Sequence, residues 1–187
     1  MTRILDVVIA AVALVVTSPL LAAAVIAIRL ESRGHPIYRQ RRVGRDGEPF
    51  EMLKLRTMVS GAESIGAGMA VNAGDPRITR VGAVLRRFSL DELPNLVNVL
   101  RGEMSIVGPR PTIQAQVDQY TPDQRRRLEV KPGITGWAQV NGRASLPWNE
   151  RIELDVWYVD HRSLALDLRI LGRTVVLLVT GHGLAPE

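Results

Sequence analysis

Residues 7–28 carry no charge, which is about 22 positions or roughly 33 Å of straight helix. That length matches the ~30 Å hydrocarbon core of a bilayer. Thr17-Ser18-Pro19 interrupts the run near its middle. A proline there removes a backbone donor and collides with the carbonyl four residues back, at about 3 kcal/mol in an ordinary helix. Three arrangements fit this pattern. A signal peptide would start at Arg3 and end near Ala22-Ala23-Ala24, yet the apolar run continues through 25–28. A kinked transmembrane span is the second, with the Thr17 and Ser18 hydroxyls bonding nearby carbonyls. The third is a re-entrant hairpin broken at Ser18-Pro19. Its two arms of about ten residues, each near 15 Å, reach half the bilayer and bring both ends out on one side. Arg29, Arg33, Arg39, Arg41 and Arg42 follow directly and favour the cytoplasmic face for the remainder. Chain physics alone leaves span and hairpin open.

Beyond this segment about 155 of the 187 residues remain, enough to bury a core. The absence of cysteine excludes disulfides, Cys-ligated zinc and a thiol nucleophile. The net charge is +5, and Lys54 and Lys131 are the only lysines among 24 cations. Arginine favours planar, bidentate contact with phosphate or carboxylate. A basic domain behind an apolar segment suits anionic lipid, nucleic acid or a phosphorylated substrate, although Arg usage also follows genomic base composition.

Downstream the pattern predicts a small α+β domain. A short strand lies near Ile37-Tyr38, a turn at Arg45-Asp46-Gly47, and a second strand over 50–58 with Lys54 and Arg56 on one face. A Gly/Ala/Ser-rich, mobile loop is expected over 60–76. Helices are expected over 79–88 and 91–101, the latter stopped by Gly102, followed by a strand over 104–107. Thr121-Pro122-Asp123-Gln124 is a capping-box helix start. Residues 133–143 read as loop, and 148–161 and 164–181 as amphipathic helices. The charges Asp167, Arg169 and Arg173 argue against a span in the last, leaving a core or interfacial helix. Two regions result: an anchor over 1–33 and a catalytic domain over 34–187.

The chemistry concentrates at Asp91-Glu92. Ser89-Leu90-Asp91-Glu92 fits a capping box, but Pro94 would then fall inside the helical ladder, so a helix starting at Asp91 is the better fit. Two adjacent acids among Lys54, Arg56, Arg86 and Arg110 suit a nucleophile beside a divalent-metal ligand, because Mg²⁺ binds through one or two carboxylates plus substrate phosphates. Phosphoryl transfer needs such cations around the moving group. Arg110 stands between two prolines that fix its backbone. Arg125-Arg126-Arg127 reads as a solvated surface run, and the three histidines are scattered. No P-loop, dinucleotide-binding or nucleophile-elbow pattern is present.

The blocks SLDELPNLVNVLRGEMSIVGPRP, KPGITGWAQVNGR and LDVWYVDHRSLALDLRIL, preceded by KLRTM and DPRITRVG, resemble the bacterial sugar transferases, the monotopic phosphoglycosyl transferases. The likeness spans nearly the whole chain in order. It implies transfer of a sugar 1-phosphate from a UDP-sugar to polyprenyl (undecaprenyl) phosphate with release of UMP, the first membrane step of bacterial glycoconjugate assembly. It implies further that Asp91 is the nucleophile of a covalent phosphosugar intermediate, that Glu92 is associated with Mg²⁺, and that Lys54, Arg56, Arg86, Arg110 and Arg143 fall in the phosphate- and nucleotide-binding region. The family's re-entrant helix breaks at a Ser-Pro pair, matched by Ser18-Pro19, which places the enzyme on the cytoplasmic face of the inner membrane. Membrane lipids are then partners, nucleic acid is not, and a homo-oligomer is compatible. Asn95 and Val97 depart from the Gln and the bulkier residue expected there. From the charge pattern alone, a non-catalytic membrane-anchored module binding anionic lipid or nucleic acid is the alternative.

Overall fold

The computed structural model describes residues 2–65, 74–142 and 145–180. Helix α1, Arg3–Glu31, is one helical element with Pro19 inside it. Local bonding explains how the proline is accommodated. Pro19 has no N–H for the Val15 carbonyl; Ser18 Oγ donates to that oxygen at 2.8 Å, and Thr17 Oγ1 donates to Ala13 at 2.7 Å. It is also the one helix among the described residues long and apolar enough to cross a membrane, by length and composition.

Two opposite faces of α1 are apolar. One packs on the rest of the chain: Ala10 joins Phe50, Met52, Val99 and Met104, while Ala24 and Ile28 join Leu55 and Leu85. The other leaves Ile4, Val8, Val12, Val15 and Val16 more than half exposed. Both ends are fastened by polar contacts. Arg3 donates to the Val99 and Leu100 carbonyls, and the buried Asp6 carboxylate accepts from Ser105 Oγ and the Ile106 N–H at 2.9 Å. At the other end Glu31 accepts from the Arg80 and Val81 N–H groups at 2.8 and 2.9 Å, and Arg56 Nη2 donates to the Ser32 carbonyl at 2.8 Å.

Strands β1, Ile37–Val43, and β2, Pro49–Leu55, form an antiparallel hairpin in the register Ile37↔Leu55 to Val43↔Pro49. Asp46 (φ 57°) and Gly47 (φ 86°) close it in the left-handed region. Helix α2 is Arg80–Arg87 and helix α3 is Asn95–Arg101, the latter stopped by Gly102 at φ 85°. The buried Asn98 amide fixes α3 to β2: Nδ2 donates to the Glu51 carbonyl at 2.7 Å and Oδ1 accepts from Leu53 N–H at 3.1 Å. Strands β3, Ser105–Val107, and β4, Gly133–Thr135, pair in parallel, so β4 lies within a stretch expected to be loop.

Short helices α4, Gln114–Val117, α5, Pro122–Arg125, and α6, Trp137–Val140, lead into α7, Trp148–His161, and α8, Leu164–Thr180. The capping box at Thr121 and Gln124 is formed as expected. Helix α8 buries Ile170 in the core and Asp167 against Tyr158, yet exposes Leu168, Val175 and Val176, giving it a core face and an apolar outer face. Of the loop expected over 60–76, residues 60–65 hold a 3-10 turn, Ala62–Ser64, and 66–73 lie outside the described residues.

Candidate active site

The dyad sits on a tight 3-10 turn, Leu90–Glu92, between α2 and α3. Asp91 is thus not the helix cap inferred from the position of Pro94; α3 begins at Asn95, after Pro94 itself. Ser89 enters the turn at φ 54°, a left-handed conformation that costs a non-glycine residue about 1 kcal/mol. This turn separates the two acids. Asp91 lines a cleft of about 1020 Å³ whose wall also holds Lys54, Arg56, Arg86 and Arg110. Glu92 lines a small recess behind it, beside Arg42, Asn95 and Arg110.

Glu92 Oε1 accepts from both Lys54 Nζ and Arg110 Nη2, each at 2.9 Å. The three side chains are 14%, 17% and 33% exposed, so water screens these pairs only in part. Burial would raise the Glu92 carboxyl, but the charges of Arg110 and Lys54 and their hydrogen bonds hold it well below the usual carboxylate range. Asp91 moves the opposite way. Burial pushes its carboxyl up, the Lys54 and Arg86 charges counter this in part, and the Glu92 charge adds to it. Adjacent acids with opposed shifts can divide two roles between them: one permanently ionised, the other responsive to added charge.

Other predicted residues fall at different places in the same cleft. Arg86 Nε donates to Thr57 Oγ1 at 3.1 Å, leaving its terminal nitrogens on the wall. Arg56 lines the cleft while its Nη2 is bonded to Ser32 at the end of α1. Arg143 lies outside the described residues. The Arg110 segment is held by close backbone approach. A Cβ on Gly133 would lie 2.1 Å from the Gly108 nitrogen, and one on Gly136 would lie 2.1 Å from the Gly108 oxygen. Only glycine lets these chains meet, and Gly133 N–H donates to the Pro109 carbonyl at 2.9 Å as a result.

The same cleft holds a second polar group that sequence reasoning missed. Arg127, expected to be solvated, is 4% exposed and pairs with Asp155, 2% exposed, at 2.5 Å. Arg127 also donates to Tyr120 Oη and, at 3.0 Å, to the Arg110 carbonyl, tying this wall to the dyad's cation. Burial pushes the Asp155 carboxyl up to about 6 despite the Arg127 charge. Gln139, from α6, completes the wall. The signal available was an acid on the α7 face that otherwise buries Ile152 and Val156.

Among the described residues no three His, Cys, Asp or Glu side chains converge on one point. Mg²⁺ takes one or two carboxylates and completes its shell with phosphate oxygens and water; here Asp91 faces the cleft, while Glu92 lies in the recess with Oε1 taken by Lys54 and Arg110.

The bacterial sugar transferase family model matches residues 1–181. The chain is 46% identical to the UDP-glucose:undecaprenyl-phosphate glucose-1-phosphate transferase of Caulobacter vibrioides, over 95% of this chain and 69% of that protein. It is 42% identical to the uncharacterized sugar transferase EpsL of Bacillus subtilis, over 97% of this chain and 89% of that protein. It is 43% identical to the UDP-glucose:undecaprenyl-phosphate glucose-1-phosphate transferase of Escherichia coli K12, over 91% of this chain but 38% of that longer protein.

Proposed function

This chain belongs to the bacterial sugar transferase family, and from that premise we propose that it moves a sugar 1-phosphate from a UDP-sugar to polyprenyl phosphate, releasing UMP, as the entry step of exopolysaccharide or related glycan assembly. The observation that carries this reading is a buried carboxylate, Asp91, facing a cleft lined by Lys54, Arg86 and Arg110. Relatives named for the same transfer, with glucose in C. vibrioides and E. coli, support it.

In the first half-reaction an Asp91 oxygen attacks the phosphorus that bears the sugar. The bond from that phosphorus to the UMP oxygen breaks, and UMP departs with the electron pair. The aspartyl phosphosugar then meets an oxygen of polyprenyl phosphate at the same phosphorus; the Asp91–phosphorus bond breaks and the carboxylate is restored. A carboxylate can approach a diphosphate only where positive charge screens their repulsion. Lys54 and Arg110, held in place by Glu92, and Arg86, held by Thr57, supply that charge. Arg56 and Arg143 belong to the same phosphate-binding region in this reading. Mg²⁺ associated with Glu92 in this reading would supply further charge neutralisation on the diphosphate.

The same reading makes residues 1–33 a re-entrant anchor on the cytoplasmic face of the inner membrane and 34–187 the catalytic domain. Both ends of α1 are fastened to one folded unit, Arg3 and Asp6 to α3 and β3, Glu31 to α2. A helix crossing a bilayer would part its ends by about 30 Å of hydrocarbon, with one end far from a domain on the other side. The exposed face of valines and isoleucines along α1 meets lipid in this arrangement.

Detergent-solubilised protein given Mg²⁺, undecaprenyl phosphate and a panel of UDP-sugars should release UMP with at least one sugar, and Asp91→Asn should release none. Unimpaired UMP release by Asp91→Asn would refute the nucleophile assignment.

A further inference from the structure

Gln139 is 8% exposed, lines the cleft, and has no hydrogen-bond partner for either amide atom, Oε1 or Nε2. Asp155, 2% exposed on the same wall, uses Oδ2 for Arg127 while Oδ1 has none. Buried polar atoms are nearly always paired, and leaving these three unpaired on one wall, with Arg127 Nε and Arg151 Nε beside them, is costly unless something arrives to pair them. Nothing on the phosphate side needs them, since the cations there are engaged with Glu92 and Thr57.

We propose that Gln139 and Asp155 form the nucleoside subsite of the cleft, the Gln139 amide reading the imide edge of uracil and Asp155 Oδ1 accepting a hydrogen bond from the uridine. This rests on the UDP-sugar reading above. The chemistry of the wall selects the nucleoside over the sugar. An amide presents a donor and an acceptor side by side in one plane, the complement of an N–H beside a carbonyl on the uracil edge. Glutamine and asparagine read nucleobases by the same bidentate pairing. A pyranose offers hydroxyls that each both donate and accept and make no such demand on a fixed pair. The surrounding wall also suits a flat ring. Ala138 and Ile152 are apolar and buried, and Trp148 lies at the same end of the cleft.

The subsite is also linked to the phosphate end. Arg127 bonds both Asp155 and the Arg110 carbonyl, while the Arg110 side chain bonds Glu92. A ligand with phosphates at Arg110 and a base at Gln139 follows this connected wall from end to end.

The test is calorimetric titration of the full-length protein in detergent with UMP and a panel of sugar 1-phosphates. Wild-type protein should bind UMP. Gln139→Met, which keeps the volume and removes the amide, should weaken UMP at least tenfold. Its melting temperature should be unchanged or higher, because no intramolecular bond is lost. Asp155→Asn, which can still accept from Arg127 but leaves that buried cation without its counter-charge, should lower the melting temperature and weaken UMP at temperatures where the variant is still folded. UMP affinity within twofold of wild type in both variants would overturn the assignment. Weakened sugar 1-phosphate binding with UMP unchanged would overturn it in favour of a sugar subsite. Failure of wild-type protein to bind UMP at all would refute the UDP-sugar reading itself, a separate outcome.

Discussion

Replacing Glu92 by glutamine tests whether this residue organises the cations around the cleft. The substitution keeps the shape and the acceptor oxygen but removes the charge. In the native protein Oε1 takes two charge-assisted bonds of 2.9 Å. Such bonds contribute about 1.5–3 kcal/mol each, against about 0.5–1.5 for neutral ones, so the pair loses about 2–3 kcal/mol. Arg110 is one-third exposed, and screening by water reduces this to about 2 kcal/mol. For a protein of this size each kcal/mol moves the melting temperature by about 2–4 °C, so a drop of about 4–8 °C is expected. The pH dependence carries a sign. The Glu92 carboxyl is depressed in the fold, so its stabilisation is present above its ordinary value of 4.5 and is lost as pH falls through the folded value. Thermal unfolding in detergent from pH 7 to pH 3 should show the gap between wild type and Glu92→Gln constant above about pH 4.5 and narrowing below it without closing by pH 3. UMP release should fall at least tenfold, since Lys54 and Arg110 lose their common anchor. Equal melting temperatures at pH 7, with the same acid dependence, would refute the idea that Glu92 charge holds the two cations.

Three further outcomes follow from the structure. Arg127→Met leaves Asp155 buried and unpaired and should cost about 3–5 kcal/mol in denaturant unfolding. Asp91 is shifted upward, so its contribution to stability is present below its ordinary 3.8 and lost as pH rises through the folded value. Asp91→Asn should therefore be at least as stable as wild type at pH 7 and lose that advantage near pH 4, as read by thermal melts. Because the chain has no cysteine, Thr2→Cys and Ser32→Cys are clean single probes. An impermeant maleimide should reach both from the cytoplasmic side of oriented vesicles, and labelling from opposite sides would restore the spanning helix.

Much of the fold was legible because its signals are local. The alternation in FEMLKL places Phe50 and Met52 inward, Gly102 stops α3, and Thr121 with Gln124 caps α5, each within a few residues of its cause. Residues 133–143 were misread because Gly133 and Gly136 look like loop punctuation. They are glycines because β4 and the Gly108 segment touch backbone to backbone, a non-local reason. Arg127 was misread for a similar cause: within a run of three arginines nothing local distinguishes the one that α7 meets with Asp155. The dyad and its cations were visible as residue types. Their division into a cleft-facing Asp91 and a recessed Glu92 depends on the left-handed turn at Ser89, where sequence offered no glycine to announce it.

The contacts of α1 bear on how this enzyme can be handled and on what its surroundings can reach. Leu21, Ala24, Val25 and Ile28 pack with Leu85 and Leu90, and Leu90 is the residue before Asp91. Helix α1 is therefore part of the wall behind this turn, one side chain away from the Asp91 carboxylate. A chain shortened to begin after Glu31 would open two cores, uncovering Met52 and Met104 at one end and Leu55 and Leu85 at the other. Such a protein should aggregate on size exclusion where the full chain in detergent elutes as a single species. The same adjacency predicts that UMP release depends on the detergent surrounding α1, so detergent choice is a variable of the assay and not only of solubility.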